Sequence, residues 1–146
     1  MLEAFYATER GSLVDATING GFDLHPELVW VDLIAPTQEE QQWVYDAYQQ
    51  NLPTLKSLED ISSSARFYRD DDGILHISTY FLTKHKNYQA DGDPEDHNNM
   101  LATVQTVAFI LHKDRLFTMR GEKLVAFRAF RARTRRNDYD MDYKDP

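Results

Sequence analysis

The amino-acid sequence predicts one domain of the α/β class: a mixed, largely antiparallel β-sheet flanked by helices on both faces, which is an α/β/α sandwich. Two observations lead to this prediction. The apolar pattern indicates three strands, two helices, two hairpins and one helix, in that order. The hairpins argue against a doubly wound parallel sheet, whose strands are joined by helices. A length of 146 residues is enough for one domain with its own core.

Three strands and a capped helix are predicted in the first third of the chain. The strands are expected at Met1–Glu9, Ser12–Ile18 and Leu28–Leu33. Pro36 stops the third strand, because proline cannot donate a hydrogen bond to a neighbouring strand. Thr37 and Glu40 have the spacing of a capping box, which predicts the start of a helix. One face of this helix is apolar and is expected to lie on the core: Trp43, Val44, Ala47 and Tyr48.

A second, short helix is predicted to open at Pro53-Thr54, with Leu55 and Leu58 on its apolar side. Two adjacent carboxylates, Glu59 and Asp60, follow at its predicted C-terminal end. Negative charge at that end opposes the helix dipole. We therefore expect another group to compensate these carboxylates, or a ligand to use them.

Two hairpins and a last helix complete the predicted fold. Their strands are expected at Phe67–Asp70 and Ile74–Leu82, and at Val104–Leu111 and Leu116–Met119. Asp71-Asp72-Gly73 provides the Asp-Gly signal of the first turn. Between the hairpins, the aperiodic segment Asn87–Asn99 is interpreted as a mobile acidic loop. The last helix is expected at Leu124–Arg135, with phenylalanines on one side and arginines on another.

Composition excludes several classes of function. The chain has no cysteine, so it has neither a disulfide framework nor a thiolate metal site. Its formal net charge of −8 makes it a poor general binder of nucleic-acid backbone. No apolar run approaches the roughly 20 residues that span a bilayer, and the N-terminus lacks the pattern of a signal peptide. Taken alone, the chain is expected to be a soluble intracellular domain.

No pattern typical of an enzyme is present. The nucleophile-elbow, phosphate-loop, zinc-protease and dinucleotide-binding motifs are absent from the sequence, so we expect no catalysis. The five histidines lack the spacing of metal ligands. The acidic runs Asp70–Asp72 and Asp91–Asp96 lack the ligand series of an EF-hand and are interpreted as solvated. The arginines of the last helix are interpreted as solvated or paired with neighbouring acids, rather than as a phosphate site.

The adjacent carboxylates Glu59 and Asp60 leave two interpretations open. In the first they form a surface pair, and Arg66 balances one of the two charges. In the second they form half of a divalent-cation site, because Mg²⁺ takes oxygen ligands and needs only one or two carboxylates. A cation shared between two subunits would neutralise charges that otherwise repel, and it would hold the subunits together.

Four segments resemble the cytoplasmic domain of the CorA family of magnesium transporters, most closely its proteobacterial branch. The first is the run LEDISSSARFYRDDDGILHISTYFL, which contains the acidic pair. The others are VWVDLIAPTQEE, VAFILHKDRLFTMR and LVAFRAFRART. The resemblance covers most of the chain, from about Val29 to Arg135.

This resemblance implies that residues 1–146 form the N-terminal cytoplasmic domain of a longer transporter, truncated before its stalk and transmembrane helices. Proteins of the family are homopentamers, and each subunit has two membrane helices and a Gly-Met-Asn pore signature. The Gly-Met-Asn signature is absent from this sequence. The implied location is the cytoplasmic face of the bacterial inner membrane. The chain is therefore expected not to conduct ions by itself.

The resemblance also implies a role for the acidic pair. The family's regulatory cation site lies between protomers, and an acidic pair in a Leu-Glu-Asp motif supplies one side of it. Here the motif is Leu58-Glu59-Asp60, so Glu59 and Asp60 are the expected metal ligands, with Mg²⁺ or Co²⁺ as the cation. The other side lies on the neighbouring protomer's stalk helix, outside this chain. Bound cations are expected to hold the pore closed, and their loss to open it.

Two alternative functions stay open at this point. The first keeps the fold and changes the ion, because a related branch of the superfamily transports zinc. The second is a free-standing soluble domain that binds a small ligand or another protein, with no transporter attached.

Overall fold

The computed structural model describes residues 1–9, 11–16, 28–59, 66–86 and 100–135. In these ranges the elements follow one another in the predicted order. The strands are β1 (Leu2–Ala7), β2 (Leu13–Ala16), β3 (Leu28–Ile34), β4 (Phe67–Arg69), β5 (Leu75–Lys86), β6 (Met100–His112) and β7 (Arg115–Arg120). The helices are α1 (Gln38–Tyr48), α2 (Leu55–Glu59) and α3 (Val125–Arg135). No helix in this part of the chain is long and apolar enough to cross a membrane.

All seven described strands belong to one sheet, in the order β2-β1-β3-β7-β6-β5-β4. At its centre β3 and β7 pair in parallel, and Asp32 lies opposite Thr118. Every other neighbouring pair in the sheet is antiparallel. The predicted mixed, largely antiparallel sheet is therefore confirmed.

Each face of the sheet carries its own apolar core. On one face α1 and α2 cover the sheet, and the core includes Val31, Leu33, Val44, Leu58, Ile110 and Met119. On the other face α3 covers the sheet, and the core includes Phe5, Trp30, Val107, Leu124 and Phe127. Alternate side chains of a strand point to opposite faces, so β3 supplies residues to both cores. The helices thus sandwich the sheet, as the sequence predicted.

The antiparallel strands β5 and β6, which the sequence analysis assigns to two different hairpins, are longer than predicted. They were expected at Ile74–Leu82 and Val104–Leu111, whereas the ladder continues to the pair Lys86–Met100. The predicted β5 was too short because the polar residues Thr83–Lys86 interrupt the apolar alternation on which the prediction depended. These residues pair with Met100–Thr103, so β6 also begins before the predicted Val104. Backbone pairing continues through polar residues, since it needs only N–H and C=O groups. Residues 87–99, the predicted acidic loop, lie outside the described residues.

The start of α1 confirms the predicted capping box. The Thr37 hydroxyl accepts a hydrogen bond from the backbone N–H of Glu40 at 3.2 Å. In return, the Glu40 carboxylate accepts one from the backbone N–H of Thr37 at 2.9 Å. Two donors of the first turn are thereby satisfied. Trp43 and Val44 are buried against the sheet, as the apolar face of the helix predicted.

Asp70 organises the turn between β4 and β5. One carboxylate oxygen accepts hydrogen bonds from the backbone N–H groups of Asp72 at 3.1 Å and Ile74 at 2.8 Å. The other oxygen lies 2.9 Å from Nε2 of His76, and the His76 ring stacks on Tyr68. The bond to His76, aided by these backbone bonds, lowers the pKa of Asp70. Asp70 is thus a structural group of the turn, whereas Asp71 and Asp72 are exposed as predicted.

We expect the substitution Asp70→Asn to weaken the fold at neutral pH and to matter less in acid. The pKa of the folded carboxyl is lowered, so ionised Asp70 stabilises the fold above the ordinary carboxyl pKa of about 3.9. That contribution is lost as the pH falls through the lower folded pKa. Denaturant titrations at pH 7, 5 and 3 check this. Asp71→Asn is the matched control at an exposed position, and it should leave the pH dependence of the free energy of unfolding unaltered. If Asp70→Asn destabilised the protein equally at all three pH values, the role assigned to ionised Asp70 would be contradicted.

Candidate functional site

Helix α2 carries the predicted cation motif at its C-terminal end. The Thr54 hydroxyl accepts a hydrogen bond from the backbone N–H of Ser57 at 3.1 Å, which caps the helix start. Leu58 is 3% exposed and packs in the core. Glu59 is the last residue of the helix, which agrees with the predicted position. Asp60 lies outside the described residues and the side chain of Glu59 is not described, so the cation site stays a prediction.

A cavity of about 220 Å³ lies beside α2 and has a polar wall. Leu55 and Leu58 line its helix side. On the sheet side, the hydroxyls of Thr83 and Thr103 are within hydrogen-bond distance of each other. Gln105, also on that side, accepts a bond from the backbone N–H of Glu122 at 3.3 Å. Oxygen-bearing side chains therefore lie close to the end of α2, although the described residues contain no group of three acidic or histidine side chains suited to a metal.

Arg66, which the sequence suggested as the partner of the acidic pair, contacts Tyr80 in the structure. Its guanidinium carbon lies 4.2 Å from the centre of the Tyr80 ring. The guanidinium also donates a hydrogen bond to the Tyr80 hydroxyl. The guanidinium of Arg66 is thus engaged in a cation–π contact with Tyr80, which is half-exposed. Compensation of Glu59 or Asp60 by Arg66 remains a prediction.

A buried polar cluster, which we call the Asp32 cluster, joins β3 to β7 on the face covered by α3. The Arg120 guanidinium donates to the Asp32 carboxylate at 2.6 Å. The Thr118 hydroxyl donates to the other carboxylate oxygen at 2.6 Å. The indole N–H of Trp30 in turn donates to the Thr118 hydroxyl at 2.9 Å. Asp32 and Arg120 are both fully buried, so the cluster is closed to ligands and acts as a structural element.

Burial and charge pairing oppose each other within the Asp32 cluster. Burial raises the pKa of the Asp32 carboxyl, while Arg120 and the Thr118 hydroxyl act to lower it. Burial likewise lowers the pKa of Arg120 against the attraction of Asp32. The Arg120 guanidinium also lies 3.7 Å from the centre of the Phe127 ring, in α3. The sequence analysis did not predict this cluster. Asp32 is a charged residue inside the apolar run LVWVDLI, and this pattern indicates that the buried carboxylate has a partner.

Two arginines of α3 pair with acids on the first two strands. Arg131 forms an ion pair with Glu3 on β1 and lies 3.8 Å from the Asp32 carboxylate. Arg135 forms an ion pair with Asp15 on β2. These contacts confirm the expectation that arginines of the last helix pair with neighbouring acids. They fasten α3 to the edge of the sheet that contains β1 and β2.

Sequence comparison with known proteins finds a matching family model and curated relatives that carry the same family description. A family model described as "CorA-like Mg2+ transporter protein" matches residues 26–145. The chain is 42% identical over 129 residues to the magnesium transport protein CorA of Sodalis glossinidius, covering 88% of this chain and 33% of that protein. It is 44% identical over 107 residues to the CorA of Escherichia coli K12, covering 73% and 30%. The chain therefore spans about a third of the length of these curated relatives.

Two solved structures share the fold. The ZntB cytoplasmic domain from Vibrio parahaemolyticus superposes with a TM-score of 0.58 at 14% identity, covering 92% of this chain and 49% of that one. The full-length CmaX protein superposes with a TM-score of 0.55 at 17% identity, covering 92% and 39%. At these identities the likeness concerns the arrangement of the backbone.

Proposed function

Because the chain belongs to the family of CorA-like Mg²⁺ transporter proteins, we propose that it is the N-terminal cytoplasmic regulatory domain of a Mg²⁺ transporter. In this proposal the domain lies at the cytoplasmic face of the inner membrane. It senses intracellular Mg²⁺ and gates a pore formed by the remainder of a longer protein. The domain itself carries out no reaction.

One observation carries the proposal: the family match extends over residues 26–145 and includes the acidic motif. Relatives with 42% and 44% identity are named for magnesium transport, and none of these names describes an enzyme. The chain spans about a third of their length, so the proposed pore lies in the part of a longer protein that corresponds to their remaining length.

The proposed ligands of the regulatory cation are Glu59 and Asp60, at the end of α2. Leu55 and Leu58 pack this helix against the sheet, so the backbone that leads into the acidic motif moves with the whole domain. A second protomer supplies the rest of the site in a homopentamer. Mg²⁺, or Co²⁺ in its place, then bridges two protomers, as expected for a hard cation with oxygen ligands.

In this proposal, the binding of Mg²⁺ is linked to the equilibrium between the open and closed arrangements of the domains. Each domain carries a formal charge of −8, so neighbouring domains repel when the sites are empty. Bound Mg²⁺ offsets that repulsion and favours the closed arrangement. A ligand shifts such an equilibrium only by its difference in affinity between the two states. Several weak sites that act together therefore make a steep response to intracellular Mg²⁺.

Titration of Mg²⁺ into this chain tests the acidic pair directly. At a concentration ten times the dissociation constant, binding stabilises the folded state by about 1.4 kcal/mol. That raises the melting temperature by about 3–6 °C for a domain of this size. The variant Glu59→Gln/Asp60→Asn should lose the rise, and its mass in solution should no longer respond to Mg²⁺.

The matched control is Asp71→Asn/Asp72→Asn, which removes the same charge from an exposed turn. This variant should respond to Mg²⁺ as the wild type does. An equal loss of response in both variants would indicate general attraction of cations to an acidic chain, and would contradict a site at Glu59 and Asp60. Parallel titrations with Zn²⁺ and Co²⁺ compare the ions, and a response to Zn²⁺ alone would favour the zinc-transporting alternative.

A further inference from the structure

Strands β5 and β6 continue beyond the rest of the sheet as a two-stranded ribbon. On one side, β4 pairs with β5 only from Leu75 to Ile77. On the other side, β7 pairs with β6 only from Ala108 to His112. The ladder between β5 and β6 nevertheless runs on to the pair Lys86–Met100. No other strand among the described residues flanks this ribbon. Because two strands alone are marginally stable in water, we expect the ribbon to need a further contact.

One face of the ribbon carries an exposed apolar patch, which consists of Tyr80, Leu82 and Val104 and which we call the ribbon patch. Leu82 and Val104 lie directly opposite each other, and they are 76% and 61% exposed. Tyr80 stands two positions before Leu82 and therefore points to the same face; it is 48% exposed. Phe81 points to the opposite face, where its ring centre lies 5.6 Å from that of Phe127 in α3. The ribbon patch is thus open, whereas the reverse face of the ribbon contacts α3.

The ribbon patch lies beside α2, the helix that leads into the acidic motif. Val104 and Ala108 point to the same face of the sheet, and Ala108 belongs to the core that α1 and α2 cover. Val104 also lines the cavity beside α2, together with Leu55 and Leu58 of that helix. Glu59 is the last residue of the same helix. The ribbon patch and the end of α2 therefore lie on the same side of the domain.

The proposed function places a second protomer at the end of α2, and the present inference rests on that proposal. A protomer that shares a cation at the acidic motif also comes close to the ribbon patch. Each domain carries a formal charge of −8, so protomers joined by cations alone would repel each other once the cations leave. Burial of apolar side chains needs no cation, and it therefore holds protomers together in that state as well.

We propose that the ribbon patch is a contact with the neighbouring protomer and that this contact persists without Mg²⁺. In a ring of five protomers such a contact is heterologous, so the patch meets a different surface of its neighbour. The ribbon patch then keeps the protomers adjacent while the empty cation sites let the domains rearrange.

Photo-crosslinking in the longer transporter that we propose to contain this chain tests the contact. The photoreactive residue p-benzoylphenylalanine replaces Leu82, and EDTA removes any bridge by cations. Irradiation should join neighbouring protomers into dimers, which are measured on a denaturing gel. The matched control carries the same photoreactive residue in place of Val125, which lies on α3 and is 72% exposed. This control should give no dimers above the level found without irradiation.

A second pair of variants tests the apolar character of the contact. In the protein with the photoreactive residue in place of Leu82, Val104→Ser should weaken the contact about tenfold, as expected when one apolar side chain is no longer buried. The dimer yield should fall accordingly. Val125→Ser is the matched control at an exposed apolar position, and it should leave the dimer yield unchanged. Equal dimer yields from Val104→Ser and Val125→Ser would contradict an apolar contact.

The mass of the unirradiated protein in detergent separates failure of this inference from failure of the proposed function. An intact pentamer that forms no more dimers through position 82 than through position 125 would overturn the inference and leave the proposed function standing. Dimers that appear only with Mg²⁺ would overturn it as well, since the contact would then depend on the cation. Cross-links to another protein would assign the ribbon patch to a different partner. A monomeric longer protein would contradict both proposals, because it has no neighbouring protomer.

Discussion

Replacing Asp32 by leucine is expected to lower the free energy of unfolding by about 3–5 kcal/mol, because it leaves a buried charge without its partner. Arg120 is fully buried and donates to Asp32 at 2.6 Å. An arginine keeps its proton at any ordinary pH, so it cannot escape by becoming neutral. The Thr118 hydroxyl, which donates to the same carboxylate, loses its acceptor as well.

The double variant Asp32→Leu/Arg120→Met should recover most of that loss. Burial raises the pKa of Asp32 and lowers the pKa of Arg120, because removing either charge from water is costly. Replacing both members of such a pair by apolar residues is often neutral or stabilising. Chemical denaturation of the single and double variants measures the coupling. A double variant no more stable than Asp32→Leu would contradict this account of the cluster.

Phe127→Ala is expected to lower the free energy of unfolding by about 3–5 kcal/mol, the usual range for a large aromatic residue in a core. Phe127 is 5% exposed and its ring centre lies between 5.6 and 6.1 Å from the ring centres of Trp30, Phe81 and Phe109. Its ring also covers the Arg120 guanidinium. The substitution therefore opens a cavity and removes an apolar cover from a buried charge.

A contrasting substitution lies three residues further along α3. Phe130 is 44% exposed, and its ring forms a T-shaped pair with Trp30, with the two ring centres 5.7 Å apart. Phe130→Ala should cost less than half as much as Phe127→Ala, since it leaves a smaller cavity. Denaturant titration of the two variants checks this. Equal losses would mean that α3 does not pack on the sheet through Phe127 as described.

Elements with local signals could be predicted from the sequence. The capping box of Thr37 and Glu40 and the Asp-Gly turn at Gly73 each depend on residues a few positions apart, and both are present. The ends of β5 and β6 could not be predicted in the same way. The polar residues Thr83–Lys86 of β5 pair there with Met100–Thr103 of β6 through the backbone, and a pattern based on apolar side chains does not detect that pairing.

The Asp32 cluster could not be predicted because its members are distant in the sequence. Asp32 meets Thr118 only because β3 and β7 pair in parallel with a particular register. The same holds for the ion pair between Glu3 and Arg131. The sequence offered a single signal, a carboxylate inside an apolar strand, and that signal names no partner. The partners are determined by which strands pair when the sheet forms, and in which register.

The acidic pair Glu59 and Asp60 was identified through likeness to a family rather than through residue chemistry alone. Residue chemistry left a surface pair and a cation site as open alternatives. The structure places Glu59 at the end of a helix that Leu58 anchors. The proposed site also needs groups from a second protomer, and one chain cannot specify those groups.

We propose that Mg²⁺ at Glu59 and Asp60 holds a transporter closed. The most direct test measures Mg²⁺ flux, in membrane vesicles, through the longer transporter that we propose to contain this chain. The concentration of Mg²⁺ on the cytoplasmic side is varied. Flux through the wild type should fall as that concentration rises, and flux through Glu59→Gln/Asp60→Asn should fall much less. Inhibition of the variant at the same Mg²⁺ concentration as the wild type would contradict the claim.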